Sequence, residues 1–209
     1  MSTVLIFDRT RKYYEELLAT YGVTPRGVDW NSESAQDIRF VQLLKICNFF
    51  SPFSMLDYGS GYGALVEMLT ASGCDFKYTG YDISEKMASK GRELYKDRPN
   101  CYFTSDPEGL TCADYVIASG IFNIKLDASE EEWTRYVLSE LNRINDLTTR
   151  GFSFNMITKY VDAEYVKPHL YYADPGFFFD YCKTHFAKNV ALLHDYGLYD
   201  FTILVRKQL

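Results

Sequence analysis

The 209-residue sequence lacks any CxxC pair, and its five cysteines, Cys47, Cys74, Cys101, Cys112 and Cys182, are odd in number and scattered. Neither a disulfide framework nor a zinc knuckle is therefore indicated, and free thiols in a reducing cytosol are expected. Histidine is scarcer, with three residues whose spacing fits no HExxH-type helix motif, so no metal is implied. No window approaches the ~18 uninterrupted apolar residues of a membrane-spanning helix. The opening MSTVLIFDRTRK places its short apolar stretch ahead of its basic residues, the reverse of a secretory signal. Positive charge is also in deficit, with 22 Lys and Arg against 28 Asp and Glu and a net charge of -6. That argues against holding nucleic acid by counterion release. The expectation is a cytoplasmic protein whose partner is a small molecule, with neither nucleic acid nor membrane, as monomer or homodimer.

Aromatic residues are abundant: 18 Tyr, 15 Phe and 2 Trp make 17% of the chain. At ~150 residues per domain the length favours one domain over 1–209. From residue 53 onward strand and helix patterns alternate. Strands are expected at Phe53–Tyr58, Phe76–Tyr81, Cys101–Thr104, Asp114–Ala118 and Phe152–Ile157, with helices at Ala64–Ala71, from Ser84 to about Lys96, and from the Ser129/Glu132 capping box through Leu147. Gly151 reads as the stop of that last helix. Residues 158–174 read as a Tyr-rich loop. Pro175 opens a further helix through Phe186, and two final strands, Val190–Leu193 and Phe201–Val205, are close enough for an antiparallel hairpin. The pattern predicts an α/β fold, a Rossmann-like doubly wound, mostly parallel seven-stranded sheet with an antiparallel C-terminal strand. Ahead of this core (51–209) residues 1–50 form a helical cap, with Tyr13, Leu17 and Tyr21 on one helix face and a second helix at Gln36–Phe50.

The segment that carries chemistry is Asp57-Tyr-Gly-Ser-Gly-Tyr-Gly63, between the first strand and first core helix. Glycines there let the backbone turn tightly and approach a ligand, at a helix N-terminus whose N–H groups are unpaired. Two ligand classes use such a turn. Read with Gly59, Gly61 and Ala64 it fits a dinucleotide fingerprint, with Asp82 as the ribose-binding acid ~20 residues on. Read as DxGxGxG it resembles motif I of the class I S-adenosylmethionine-dependent methyltransferases. The leading cap, the absence of a Tyr-xxx-Lys pair and the terminal reversed strand favour the second reading.

That resemblance, over roughly residues 36–209, implies S-adenosyl-L-methionine as cofactor. It implies that Asp57 and the Gly59, Ser60, Gly61 and Gly63 backbone lie along its methionine part. Asp82 would accept hydrogen bonds from the ribose hydroxyls, Ile83 would pack on adenine, Asp106 would receive the adenine amino group, and Ser119 and Gly120 would border the reactive methyl. A narrower resemblance, carried by Trp30-Asn-Ser-Glu-Ser-Ala-Gln36, Arg39-Phe40, Ser119-Gly-Ile-Phe-Asn123, Leu170-Tyr-Tyr-Ala-Asp-Pro175 and His194-Asp-Tyr, is to small bacterial methyltransferases named mostly by fold.

A sulfonium carries its own leaving group, so the enzyme must chiefly align the nucleophile, a contribution worth up to ~7–11 kcal/mol. A general base is required only for an acceptor protonated at working pH. Asn123 is placed to orient the acceptor, and His169, in the Tyr-rich loop, is the candidate base. Arg39 has the charge for the cofactor carboxylate, or for an ion pair with a neighbouring acid such as Glu33. Trp30, Tyr13 and Tyr14 could close over the sulfonium. His185 reads as a helix-dipole partner and His194 as structural. The aromatics of the N-terminal helices and of residues 160–181 are expected to wall an enclosed, largely apolar acceptor pocket. Release of methylthioadenosine by another use of the same cofactor, and a non-catalytic cofactor-binding module, stay open as alternatives.

Overall fold

The computed structural model describes residues 3–30 and 32–207. One seven-stranded sheet organises them: β1 (Phe53–Tyr58), β2 (Phe76–Tyr81), β3 (Cys101–Thr104), β4 (Ala113–Ala118), β5 (Thr148–Ile157), β6 (Asn189–Leu193) and β7 (Asp200–Arg206). The strand order is β3-β2-β1-β4-β5-β7-β6. Only β7 runs against the other six strands, inserted between β5 and β6 by the terminal hairpin, as the short HDYGLYD connection predicts.

Six helices accompany the sheet: α1 (Thr3–Tyr21), α2 (Glu33–Leu44), α3 (Leu65–Ala71), α4 (Glu85–Leu94), α5 (Glu130–Asp146) and α6 (Pro175–His185). Along β4, Tyr115 and Ile117 join one core and Val116 and Ala118 the other, because successive strand side chains point to opposite faces. The first core packs α2 and α3 through Phe40, Leu43, Leu65 and Leu69. The second packs α5 and α6 through Trp133, Leu141, Phe178 and Cys182. Both faces are covered, which is why the strands are nearly continuous apolar runs.

Local signals set the helix starts. Ser84 Oγ accepts the Met87 N–H, the capping box of Ser129 and Glu132 is formed in full, and Asp174 accepts the Gly176 and Phe177 N–H groups ahead of Pro175. Several boundaries differ from expectation, among them the starts of α2 (Glu33, not Gln36) and β5 (Thr148, not Phe152). α2 ends at Leu44 and not at Phe50, because the Ile46 and Cys47 N–H groups bond three residues back and Asn48 Oδ1 then accepts the Phe50 N–H. α5 ends at its C-cap Leu147, so Gly151 stops no helix but lies inside β5. A Cβ on Gly151 would sit 2.4 Å from the Val205 carbonyl oxygen, which is the tertiary reason for glycine there.

Residues 158–174 are tied down by a short 3-10 turn at Ala163–Tyr165 and by bridges from Thr158 to Ala173 and Ile124 to Leu170. Among the described residues no helix is long and apolar enough to cross a membrane, and no group of His, Cys, Asp and Glu could hold a metal ion.

Candidate functional site

In a doubly wound sheet the chain leaves adjacent strands in opposite directions at one point, and the crevice beyond the strand C-termini there receives ligands. Here that point lies between β1 and β4, which pair in parallel at Met55, Leu56 and Asp57. A cavity of ≈ 210 Å³ opens above it. Its floor is the turn after β1 (Asp57 to Tyr62), the end of β2 (Tyr81 to Ile83) and the end of β4 (Ser119 to Ile121). Its roof is α1, the Val28–Trp30 segment and α2, and Lys167, His169 and Leu170 close the remaining side.

The turn after β1 follows the expected course, with left-handed φ of 86° at Gly59 and 55° at Gly61. Four of the N–H groups there, however, are used inside the protein. Those of Gly59 and Ser60 donate to the Tyr81 carbonyl, that of Gly61 to Asp82 Oδ2 at 2.8 Å, and that of Gly63 to the Ser60 carbonyl. The turn therefore contributes close approach rather than an array of donors. That is a poor cradle for a pyrophosphate, which needs such donors.

The charge of the floor also disfavours a pyrophosphate. Asp57 is 2% exposed and accepts the Tyr78 hydroxyl at 2.7 Å. Asp82 accepts the Gly61 and Ser84 N–H groups at 2.8 and 2.9 Å. Neither carboxylate has a cationic partner among the described residues. Burial dominates both, lifting Asp57 to about 7 and Asp82 to about 6. Beside them Ser119 Oγ is buried with no hydrogen-bond partner. Two unneutralised buried carboxylates and an orphaned hydroxyl fit a ligand that brings positive charge and hydroxyl donors, and S-adenosylmethionine, with its ammonium, sulfonium and ribose diol, is such a ligand.

A carboxyl whose folded pKa lies above its unfolded value costs the fold stability as pH rises through that window, here from about 4 to about 7. A cationic ligand favours the ionised form, so its affinity should strengthen as both groups ionise. The dissociation constant of S-adenosylmethionine is expected to fall between pH 5.5 and 8, with proton release on binding in the middle of that range. S-adenosylhomocysteine, which lacks the sulfonium charge, should respond less. Calorimetry in buffers of different ionisation enthalpy measures both effects, and pH-independent binding of the sulfonium would contradict them.

Of the residues singled out from sequence, Trp30, Arg39, Asp57, Gly59, Ser60, Gly61, Asp82, Ile83, Ser119, Gly120, Asn123 and His169 all line this cavity. Asp106 and Gly63 do not. Asp106 is exposed, and its carboxylate accepts the Glu108 N–H to cap its own turn. Gly63, at φ 90°, faces inward, where a Cβ would lie 2.6 Å from the Phe103 ring, so it serves the packing of the α3 start on β3.

Arg39 is not paired with Glu33. Its Nε and Nη2 reach the Asp200 carboxylate at 3.1 and 2.5 Å, and its guanidinium lies 4.3 Å from the centre of the Trp30 ring. Asn123 Oδ1 accepts the Ile157 N–H at 3.1 Å, which fixes its amide so that Nδ2 is the group left for the cavity. Tyr14 lines the cavity, whereas Tyr13 donates its hydroxyl to Asp29 at 3.0 Å. His185 stacks on Tyr181 at 4.1 Å and His194 packs against Tyr160 and Phe201, both away from the cavity. Asn31 of the Trp30–Gln36 stretch lies outside the described residues.

The expected aromatic wall from residues 160–181 is not there. That segment gives the cavity Lys167, His169 and Leu170, while Tyr171 and Phe178 are spent on the core under α5 and α6. The wall aromatics are Phe7, Tyr14, Trp30 and Phe40 from the cap and Tyr58, Tyr62, Tyr81 and Tyr136 from the core. Asp29 was not anticipated. It caps a 3-10 turn in a left-handed conformation, φ 63°, and lines the cavity near His169 and Lys167. Non-glycine residues held there cluster at functional sites, but no sequence signal marks the position.

Comparison with known proteins places these features. Residues 56–143 match the family model described as Methyltransferase domain. A provisionally named methyltransferase of Mycobacterium tuberculosis (strain ATCC 25618 / H37Rv) is 46% identical over 164 residues, 78% of this chain and 99% of that protein. Among solved structures, the N-methyltransferase NodS of Bradyrhizobium japonicum WM9, crystallised with S-adenosylhomocysteine, superposes with a TM-score of 0.65 at 12% identity, over 95% of this chain and 98% of that one. Magnesium protoporphyrin IX methyltransferase of Synechocystis PCC 6803, with bound S-adenosylmethionine, gives 0.56 at 16% identity, over 84% of this chain and 79% of that one.

Proposed function

This chain belongs to the class I S-adenosylmethionine-dependent methyltransferases, and on that premise we propose that it transfers the methyl group to an oxygen or nitrogen of a small-molecule acceptor. The observation that carries this is the roofed cavity at the β1/β4 switch point, with two buried carboxylates that no side chain among the described residues neutralises. S-adenosylmethionine supplies a methyl group already activated on a sulfonium. The chain's own residues bind, orient and exclude water.

In this reading Asp82 accepts the ribose hydroxyls, with Ile83 and Met87 against the adenine, and Asp57 and Ser119 Oγ face the methionine end. Asn123 Nδ2 orients the acceptor. His169, with Asp29 nearby, takes the proton of an acceptor hydroxyl or ammonium. Residues 1–50 act as the lid of a single catalytic unit, held shut by Arg9 on Asp127 at 2.6 Å and by Glu15 on Lys86 at 2.8 Å and on Ser84 at 3.1 Å. Phe7 and Tyr136 pack edge to face, 5.6 Å apart, across the same seam.

Calorimetric titration with S-adenosylhomocysteine tests the binding half, with one site per chain expected and no binding refuting it. Chromatography of spent cofactor over an acceptor panel tests the rest: S-adenosylhomocysteine supports methyl transfer, while methylthioadenosine would assign a different bond. Once an acceptor is found, His169→Gln and Asp29→Asn should each lower kcat by roughly 10²-fold, in the range of lost general-base catalysis. Neither should change S-adenosylhomocysteine affinity by more than about twofold, since both groups lie on the acceptor side; comparable losses in binding and turnover would argue against the base assignment.

A further inference from the structure

The Asp200 carboxylate, 2% exposed, receives three hydrogen bonds, from Arg39 Nε, Arg39 Nη2 and Asn155 Nδ2 at 3.1, 2.5 and 3.0 Å. Asn155, fully buried in β5, then accepts the Gly120 N–H on Oδ1 at 2.9 Å. Gly120 is left-handed, φ 73°, and a Cβ there would lie 2.5 Å from the Trp30 ring. Trp30 in turn lies under the Arg39 guanidinium. The contacts close on themselves: Gly120, Asn155, Asp200, Arg39, Trp30 and back to Gly120.

This ring joins β4, β5, β7, α2 and the segment before α2. Three of its members, Trp30, Arg39 and Gly120, line the cavity, and the two that do not, Asn155 and Asp200, hold them. The sheet does not need the ring, because β5 and β7 are already paired over seven positions from Gly151 to Ile157. A buried ion pair is also weak as pure stabiliser, since desolvation consumes most of its Coulombic gain. Its geometric effect is specific: the Asn155 amide can accept from Gly120 and donate to Asp200 in one orientation only, so the charge on Asp200 sets which way the amide faces.

We propose that Asp200 and Asn155 are positioning residues for methyl transfer, fixing through this ring the Gly120 backbone and the Trp30 and Arg39 side chains that border the reacting end of the cavity. The inference rests on the proposed reading of that cavity as the methyl-transfer site.

Three variants test it: Asp200→Asn, Asn155→Asp and the double exchange. Asp200→Asn leaves the Arg39 charge without its carboxylate, and Asn155→Asp sets two carboxylates against each other. The double exchange restores one carboxylate, one amide and the overall charge, with the new Asp still able to accept from Gly120 and the new Asn able to accept from Arg39. Two readouts are taken for each: S-adenosylhomocysteine affinity by calorimetry, and acrylamide quenching of tryptophan emission without ligand. Trp133, 1% exposed, is shielded from the quencher, so the accessible emission is that of Trp30.

Each single exchange is expected to weaken binding roughly 10-fold and to raise the quenching of Trp30, and the double exchange to recover most of both, as coupled neighbours do. Wild-type binding and quenching in all three, or a double exchange as impaired as the two singles combined, would overturn the proposal. Should wild-type protein not bind S-adenosylhomocysteine, the reading of the cavity fails, while the quenching series on ligand-free protein still decides whether the ring sets Trp30. If a single variant does not fold, the double exchange carries the comparison.

Discussion

Replacing Asp82 by Asn is expected to weaken S-adenosylhomocysteine binding by about 30–150-fold, the largest single effect on cofactor affinity in the chain. The substitution keeps the shape and one carbonyl oxygen, enough to hold the Ser84 N–H that opens α4. What it removes is the ionised acceptor for a ribose diol, together with the carboxylate oxygen that accepts the Gly61 N–H. Hydrogen bonds to a charged group contribute ~1.5–3 kcal/mol each against ~0.5–1.5 for neutral ones, so exchanging two of them costs about 2–3 kcal/mol. Because burial already holds this carboxyl at about 6, the wild type should approach the Asn variant in affinity as pH falls toward 5. Calorimetric titration of both proteins at pH 5 and 8 checks the prediction. An unchanged dissociation constant at pH 8 would remove Asp82 from the site.

Trp133→Ala should produce the largest loss of stability. The indole is 1% exposed in the α5 core and donates its Nε1–H to the Phe122 carbonyl at 2.7 Å. Truncating a buried Trp costs ~3–5 kcal/mol from lost burial and the cavity left behind. At about 2–4 °C per kcal/mol for a domain of this size, thermal denaturation should begin roughly 6–20 °C lower. The consequence reaches the site, because Phe122 precedes Asn123 in the chain. Trp133→Phe, which keeps most of the ring and loses the hydrogen bond, should cost much less. Equal melting temperatures for the Ala variant and the wild type would contradict the assignment of this side chain to the core.

The strands were legible because they are buried on both faces and bounded by turn residues. Phe53–Tyr58, Phe76–Tyr81 and Cys101–Thr104 follow the apolar runs to the residue. The capping box at Ser129 and the Asp174-Pro175 start were legible for a different reason, since both are local hydrogen-bonding chemistry within three residues. Gly151 was misread because glycine after a helix usually caps it, whereas here the Val205 carbonyl, brought in by β7, excludes a side chain. The aromatics of residues 160–181 were misassigned because composition says which residues are present and not which way they face. Asp106 lies off the cavity, where its carboxylate accepts the Glu108 N–H of its own Asp-Pro turn.

The floor of the cavity was readable for another reason. Asp57, the glycine turn and Asp82 sit at the ends of consecutive parallel strands, so their spacing along the chain is fixed by the βαβ geometry that brings them together. Asp29 needed the structure, because its importance lies in a left-handed backbone over a cavity.

The scarcities of the sequence, in basic residues, histidine, paired cysteines and long apolar runs, together with one glycine turn and the alternation of strands and helices, determined the fold class and the kind of ligand. Those properties depend on composition and on contacts close in sequence. The tertiary structure alone decided that Arg39 meets Asp200 across 161 residues and that Asn155 reaches Gly120 across 35. It decided too that, of the loop tyrosines, Tyr171 joins the core while Tyr160 and Tyr165 lie exposed. Such pairings depend on how β4, β5 and β7 lie side by side, and the free energy of that arrangement is spread over two whole hydrophobic cores rather than written in any local motif.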